Sequence, residues 1–413
     1  MKTDKTVYAH TLRYHFCIGC GICKTVCPHN AIVYKIDKLG ECKPVIKKDK
    51  CTHCGNCERF CPNTKEKFKS EAQAISKSKY PGDVGLENAD YYVAWSPEYR
   101  DKAVSGGIVT AISVYLLDHK LIDGVVQVKA IFENKGKSHY KVVLSSTASE
   151  VSQNSGSAYQ PVNYSEVLDI LEPNKSYFII GIPCVIRGLA KLFKEHRKFK
   201  KITPIFCSLV CSHNVSQLFN DYFLEMHKLP DNEKWKINFR NKDGALDASN
   251  FNSCIFTKGR VLYKENRFLS GWTRIWRNYW FSMEACNYCP DFWGAVADIS
   301  VKDAWGKWEN EKYGKSVAVV RSKLLKDIFC KCGLEFEPLT YEEMHVMQPQ
   351  TNSYKQRHAF EKNFLSPWNT GNRKRGMLHN VLMARFSKRI YAYCGYRISS
   401  IVLPLLDRLF KLF

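Results

Sequence analysis

Residues 17–28 read Cys17-Ile18-Gly19-Cys20-Gly21-Ile22-Cys23-Lys24-Thr25-Val26-Cys27-Pro28, and residues 51–62 repeat the spacing as Cys51-Thr52-His53-Cys54-Gly55-Asn56-Cys57-Glu58-Arg59-Phe60-Cys61-Pro62. Both runs are C-x2-C-x2-C-x3-C-P. Three thiolates so closely spaced can face one cubane of iron and sulfide, while the fourth points to the neighbouring one. Cys17, Cys20, Cys23 and Cys61 are therefore expected round one [4Fe–4S] centre, and Cys51, Cys54, Cys57 and Cys27 round a second. Zinc fits less well, because it takes paired cysteine knuckles with four ligands per ion.

Working outward, Ala31 to Tyr34 and Pro44 to Ile46 read as the short strands that a small bacterial-type ferredoxin fold needs between its two runs. Cys42 lies outside either run and reads as a structural thiol. The chain has 413 residues, too many for a ferredoxin alone, and its 45% hydrophobic content allows further large cores. Eighteen cysteines in a chain this long, eight of them in cluster-type runs, point to a reducing cytoplasm. Met1 to Tyr14 has no apolar core of the kind a signal peptide carries, and no stretch reaches the roughly 20 apolar residues of a membrane span. The formal charge of +22 overstates the folded charge, since cluster-bound thiolates are not counted in it. A basic surface remains, suited to an acidic partner, an anionic substrate or an anionic membrane. No zinc-finger, helix-turn-helix or RNP pattern supports nucleic acid as the partner.

The expected organisation is a ferredoxin domain over 1–63, a lysine-rich linker over 64–90, the first part of an α/β body over 91–175, its second part over 176–345, and a basic extension over 346–413. Within the body, Tyr91 to Trp95 reads as a strand. Ser105-Gly106-Gly107 then opens a helix with apolar spacing through Asp118, and Gly124 to Val128 returns as a strand. A second strand, Ser176 to Ile180, ends in Gly181-Ile182-Pro183-Cys184 before another helix, and a third, Ile202 to Val210, ends in Cys211-Ser212-His213-Asn214. Strands alternating with helices make an α/β domain with its site at the strand ends.

Four separated pieces belong together: Pro183-Cys184, Val210-Cys211, Cys286-Asn287-Tyr288-Cys289, and Ala297 to Gly306. Two strand-end cysteines and one C-x2-C make a four-thiolate site, equally suited to zinc or to an iron–sulfur cluster. Cys207 competes with Cys211 for a place in it, and the strand-end position favours Cys211.

These pieces, with Ser105 to Ala111, Phe239-Arg240-Asn241-Lys242 and Val319-Val320-Arg321-Ser322 in the same order, resemble the coenzyme F420 hydrogenase/dehydrogenase beta-subunit family, in the version with a ferredoxin domain in front. The resemblance spans roughly residues 15 to 345. It implies an iron–sulfur flavoprotein in which Cys184, Cys211, Cys286 and Cys289 hold a third [4Fe–4S] cluster beside FAD. It implies further that Ser105, Gly106, Gly107, Thr110, Gly156, Ser157, Tyr159 and Arg240 line the cofactor. The chain departs from the family pattern at Ala158, where lysine is usual, at Lys302, where glycine is common, and at Ser322, which replaces threonine.

The expected function is that of an oxidoreductase passing electrons from a ferredoxin-type donor through the clusters to FAD and on to a reducible small molecule. The alternatives are an electron-transfer subunit with no substrate of its own and an accessory protein of a surface-polysaccharide pathway. No catalytic residue is assigned; His213 and Asp303 are candidates by position only. Trp272, Trp276 and Trp280, four residues apart, are expected in a core or interface. Residues 371–413 mix Lys and Arg with recurring apolar positions. They are expected as a helix packed on the body, with peripheral contact to an anionic membrane as the rival reading.

Overall fold

The computed structural model describes residues 6–12, 15–70, 86, 88–230, 232–245, 247–308, 310–347, 355 and 375–412. The duplicated cysteine run returns as a duplicated structure. Each run contains a one-turn helix, α1 (Ile22–Thr25) and α2 (Asn56–Arg59), entered through a left-handed glycine, Gly21 with φ 89° and Gly55 with φ 82°. That backbone conformation selects glycine in each copy. Strands β1 (Ile32–Ile36) and β2 (Cys42–Ile46) pair antiparallel between them.

The body follows as β3 (Asp90–Trp95), α3 (Ile108–Asp118), β4 (Gly124–Ala130), β5 (Tyr140–Ser145), β6 (Ser176–Gly181), α4 (Pro183–Glu195), β7 (Thr203–Leu209) and α5 (Leu218–Met226). Then come β8 (Trp235–Asn241), β9 (Asn252–Thr257), β10 (Arg260–Asn266), α6 (Trp272–Arg277), α7 (Glu284–Tyr288), β11 (Ile299–Asp303), β12 (Ser316–Val320), α8 (Lys323–Phe329), β13 (Glu335–Pro338) and α9 (Arg375–Leu412). Eight strands form one mixed sheet in the order β13-β3-β12-β11-β7-β6-β4-β5. Strands β4, β6, β7 and β11 are parallel, and β12 runs against both β11 and β3. It follows that β3 points the same way as the parallel set, and five strands release their C-terminal ends along one edge, where an α/β sheet gathers its site.

Alternation along the strands sorts two cores. Phe178, Ile180, Ile205, Cys207, Ile299 and Val301 face Ile108, Ile112 and Leu325 of α3 and α8. On the other face, Tyr177, Ile179 and Phe206 meet Ile186, Leu189 and Leu192 of α4, and the same apolar cluster takes in Phe16, Ile18, Ile22 and Phe60 from around the cysteine runs. The ferredoxin part is therefore packed into the body's own core. The expected linker begins in that core too: residues 65–70 are helical and Phe68 is 0% exposed, while 71–85 and 87 lie outside the described residues.

A third core surrounds the antiparallel β10-β9-β8 sheet and takes in Trp272, Trp280 and, partly, Trp276, so the tryptophan stripe is core. Helix α9 closes this core with Met383, Tyr391 and Leu403. It also reaches the ferredoxin part. Lys388, 1% exposed, pairs with Glu41, 3% exposed, which Lys43 joins at 2.7 Å.

Candidate metal centres and the adjoining site

Two hollows sit within the ferredoxin part. One is lined by Cys27, Cys51, Cys54 and Cys57; the other by Cys17, Cys20, Cys23 and Cys61. Each gathers the four thiols expected for one centre, including the crossed fourth cysteine. Cys54 is exposed and Cys51 half-buried, so the first set is the outer one; Cys17, Cys20 and Cys23 of the inner set are buried. Donors reach several sulfurs. Backbone N–H groups of Gly19 and Ala31 donate to Cys17 Sγ (3.4 Å) and Cys27 Sγ (3.3 Å), and Tyr34 Oη lies 3.0 Å from Cys23 Sγ.

The structure also brings Cys184, Cys211, Cys286 and Cys289 together. Cys184 opens α4, where Pro183 starts the helix at a position that needs no N–H donor. Cys211 follows the end of β7, and α7 carries Cys286, with Cys289 at its C-terminal cap. Burial pushes the thiols up, Cys286 to about 12 and Cys211 to about 11, and burial and then the other three thiols hold Cys184 above its ordinary value. Among the described residues no three His, Cys, Asp or Glu side chains converge tightly enough for a single metal ion. The other three thiols all act electrostatically on Cys184, so the four share one region of the core. Cys207 is not in the set. It points from β7 into the opposite core against α3, and Asp298 is its charged neighbour.

Tyr164 connects the inner and the body thiols. Its N–H donates to Cys20 O at 2.9 Å, its hydroxyl donates to Ile180 O at 2.9 Å, and both Cys184 and Cys20 act on it electrostatically. Lys355 lies on the far side of the body set, 3% exposed, with Nζ donating to Asp291 O at 3.3 Å. Cys289 Sγ meets the same carbonyl at 3.7 Å. Burial pulls the Lys355 pKa down, but the thiolates of Cys289, Cys211, Cys286 and Cys184 outweigh it and hold it above the ordinary lysine value. Neither Tyr164 nor Lys355 stands in a motif that spacing could have revealed.

The residues expected to line a flavin fall along the strand-end edge, with mixed roles. Ser105 Oγ donates to Lys315 O (2.8 Å) and Gly106 N to Ser316 Oγ (3.0 Å). A Cβ on Gly106 would stand 2.6 Å from Ala94 O, so that glycine is required by close backbone packing between β3 and β12. Gly107 caps α3 with φ 78°, and Thr110 is buried within the helix. Gly156 and Ser157 precede Tyr159, whose ring packs against Trp276 (4.7 Å) and Trp272 (5.4 Å) and whose hydroxyl pairs with Arg240. Arg240 donates to Asp303 at 2.8 Å, which makes Asp303 an ion-pair partner. His213 is sandwiched between Trp276 and Tyr279, and burial and then Lys355 hold its pKa down to about 3.

Sequence reading named Arg240 at this site but not the further positive charge collected around it. Lys242 Nζ donates to Ser105 O (2.7 Å) and Arg100 O (2.8 Å), and burial, then Arg240, lowers its pKa to about 7. The Nε atoms of Arg100, Arg240 and Arg267 are buried without a hydrogen-bond partner. Unpaired guanidinium N–H groups suit an anionic group such as a dinucleotide's phosphates, so these residues fit a flavin dinucleotide better than the glycines do. Lys302, the departure from the family pattern, is 7% exposed, its Nζ has no hydrogen-bond partner, and burial lowers its pKa to about 7.

Comparison with known proteins adds to this picture. Residues 91–169 match the profile described as coenzyme F420 hydrogenase/dehydrogenase, beta subunit N-term, and residues 174–340 match the profile for the C terminus of the same subunit; together they span more than half of the chain. Residues 16–65 match a 4Fe-4S dicluster domain. An uncharacterized protein of Methanocaldococcus jannaschii is 25% identical over 364 residues, 83% of this chain and 93% of that one. Among solved structures, a chain of the F420-reducing [NiFe] hydrogenase complex from Methanosarcina barkeri aligns with a TM-score of 0.47 at 18% identity, over 68% of this chain and 92% of its own.

Proposed function

The chain belongs to the coenzyme F420 hydrogenase/dehydrogenase beta-subunit family and carries a 4Fe-4S dicluster domain in front, and from this we propose that it is an oxidoreductase subunit that accepts electrons from a protein partner at its outer thiols and passes them through the inner and body thiols to a flavin at the strand-end edge. The observation that carries the reading is an outer thiol set that meets solvent, beside two sets that share one core. The outer set includes exposed Cys54, while Cys20 of the inner set and Cys184 and Cys289 of the body set share one apolar core, with Tyr164 in contact with both sides.

Clusters held by these thiols supply one-electron transfer, and a flavin supplies exchange between one- and two-electron chemistry. The chain's own residues do the rest. Burial in the shared core excludes water from between the inner and body sets. Hydrogen bonds from Gly19 N, Ala31 N and Tyr34 Oη to sulfur stabilise charge on the thiolates. Arg240, fixed by Asp303 and Tyr159, and Arg267 would hold a dinucleotide's phosphates, Lys242 braces the carbonyls of Arg100, Ser105 and Tyr313 beside them, and the aromatic wall of Tyr159, Trp272 and Trp276 closes that region.

Anaerobic purification with iron and flavin determination tests this. Four cysteines per cluster give about twelve irons for three filled sites, and one flavin per chain is expected. Cys286→Ser should bring the iron to about eight. Unchanged iron in that variant overturns the body site, and absence of flavin overturns the flavin step while leaving an electron-transfer subunit.

A further inference from the structure

Helix α9 runs from Arg375 to Leu412 but breaks at Gly395 (φ 72°, ψ 179°), where the chain turns back on itself. His379 meets Asp407 at 2.8 Å across that turn; a straight helix would hold them about 42 Å apart. The second arm, from Tyr396, is inside out. Its polar residues Ser399 and Asp407 are buried, Ser399 Oγ donating to Gly395 O and Asp407 paired with His379 and Lys411. Leu403 packs on the body. Packing on the body therefore accounts for Leu403, but not for the opposite side of the arm.

That side presents Ile398 (50% exposed), Ile401 (67%), Leu405 (59%) and Leu409 (44%) to solvent. Steps of three, four and four residues put them on one helical face. Phe386 of the first arm, also exposed, lies beside Phe410 at its rim. Exposed Arg397 and Arg408 run along one flank, with Lys411 further round. Asp407, the acid of this arm, is buried and paired, so the outer face carries cations and apolar groups with no exposed carboxylate among the described residues. No described helix is long and apolar enough to cross a membrane.

We propose that the face formed by Ile398, Ile401, Leu405 and Leu409, with Arg397 and Arg408 beside it, lies in the headgroup layer of an anionic lipid membrane and holds the protein there as a peripheral protein. An apolar stripe one helix wide, flanked by arginine, is the arrangement that buries side chains at the acyl boundary while its charges stay among anionic headgroups. Charge decides between this occupant and a second copy of the chain. A twofold interface would set Arg397 and Arg408 against the same flank of a copy with no acid to meet them, whereas lipid phosphates meet them directly. The proposal is independent of the electron route.

Flotation of the full-length, cluster-loaded protein tests it, with vesicles of phosphatidylcholine alone and of phosphatidylcholine with phosphatidylglycerol. Flotation with the anionic vesicles, reversed by high salt, is expected, with little on the neutral ones. Ile401→Asp with Leu405→Asp should abolish it at unchanged iron content and circular dichroism. Arg397→Gln and Arg408→Gln should each weaken partitioning about fivefold, which keeps the test open should the aspartate variant fold poorly. No flotation, or equal flotation on both vesicles, overturns the proposal. So does a dimer in solution that the aspartate substitutions convert to monomer, which would assign the face to a second copy.

Discussion

Replacing Lys355 by glutamine removes a cation whose ammonium shares a carbonyl with a body-set thiol. A positive charge a few ångströms away favours the reduced, more negative cluster by about 1–3 kcal/mol at an effective dielectric near 20. Lys355→Gln should therefore lower the midpoint potential of the body centre by roughly 40–130 mV for one electron, read by electron paramagnetic resonance during a redox titration. An unchanged potential at full iron content would make Lys355 a packing residue. A second prediction concerns acid. His139 stacks on Trp235 at 3.9 Å with Nδ1 3.0 Å from Trp235 O, and burial holds its pKa down to about 4, against about 6.5 in an unfolded chain. The unfolded state therefore binds the proton first. The stability that neutral His139 contributes is complete above about pH 6.5 and is lost as the pH falls toward 4. At pH 5 the protein should be about 2 kcal/mol less stable than at pH 8 from this group, and His139→Gln should flatten that dependence in urea unfolding. At this scale the eight thiols of the front runs were expected from a spacing written locally in the chain, whereas Cys184, Cys211, Cys286 and Cys289, far apart in sequence, were assigned to one cluster through a resemblance. Lys302 was visible as a departure from a pattern. Lys355, Tyr164, Arg100 and Arg267 act across tens to hundreds of residues, and no periodicity records such contacts.

The elements that were easiest to read are those whose pattern is local: the buried strands β6 and β7, and the helix opened by Gly107. Those missed depend on partners far along the chain. β12 and β13 join the sheet antiparallel on either side of β3, and nothing in Ser316–Val320 announces its direction. The polar, lysine-rich composition after Thr64 suggested a linker, yet one residue, Phe68, anchors its first turn in the core. Composition averages over the position that decides. Helix α9 shows the same limit, since its packed and exposed apolar faces cannot be told apart until the body is present. Its Lys388 gives a prediction at this scale. Lys388→Met leaves Glu41 buried with Lys43 as its remaining cation, and breaking a buried pair in this way costs about 3 kcal/mol. Hydrogen exchange should accelerate in β1 and β2, with the body sheet unaffected. Uniform loss of protection would mean that the pair holds up the whole fold.

Across the whole molecule, one thiol set meets solvent while the other two share a core, and this arrangement has a kinetic signature. Cys54→Ser, at the exposed end, should lower the iron content by about four per chain and slow reduction by a protein donor, while a small chemical reductant still reduces the remaining centres. Equal slowing with both donors would mean that electrons enter elsewhere. The fold class and the division into a cysteine-rich front and an α/β body were legible because each part has its own periodicity. Their fusion through one core was not, because shared burial leaves no local mark. The pairing of Glu41 with Lys388 across 347 residues also bears on how the protein is made. A ribosome adding about 5–20 residues per second releases the β1–β2 hairpin roughly 20–70 s before the lysine that closes over it. Until Lys388 emerges, Glu41 has Lys43 as its cation, and the ion pair that ties the hairpin to the C-terminal helix is unmade. Hydrogen exchange of stalled nascent chains, ending before and after Lys388, would show the hairpin gaining protection when that pair forms.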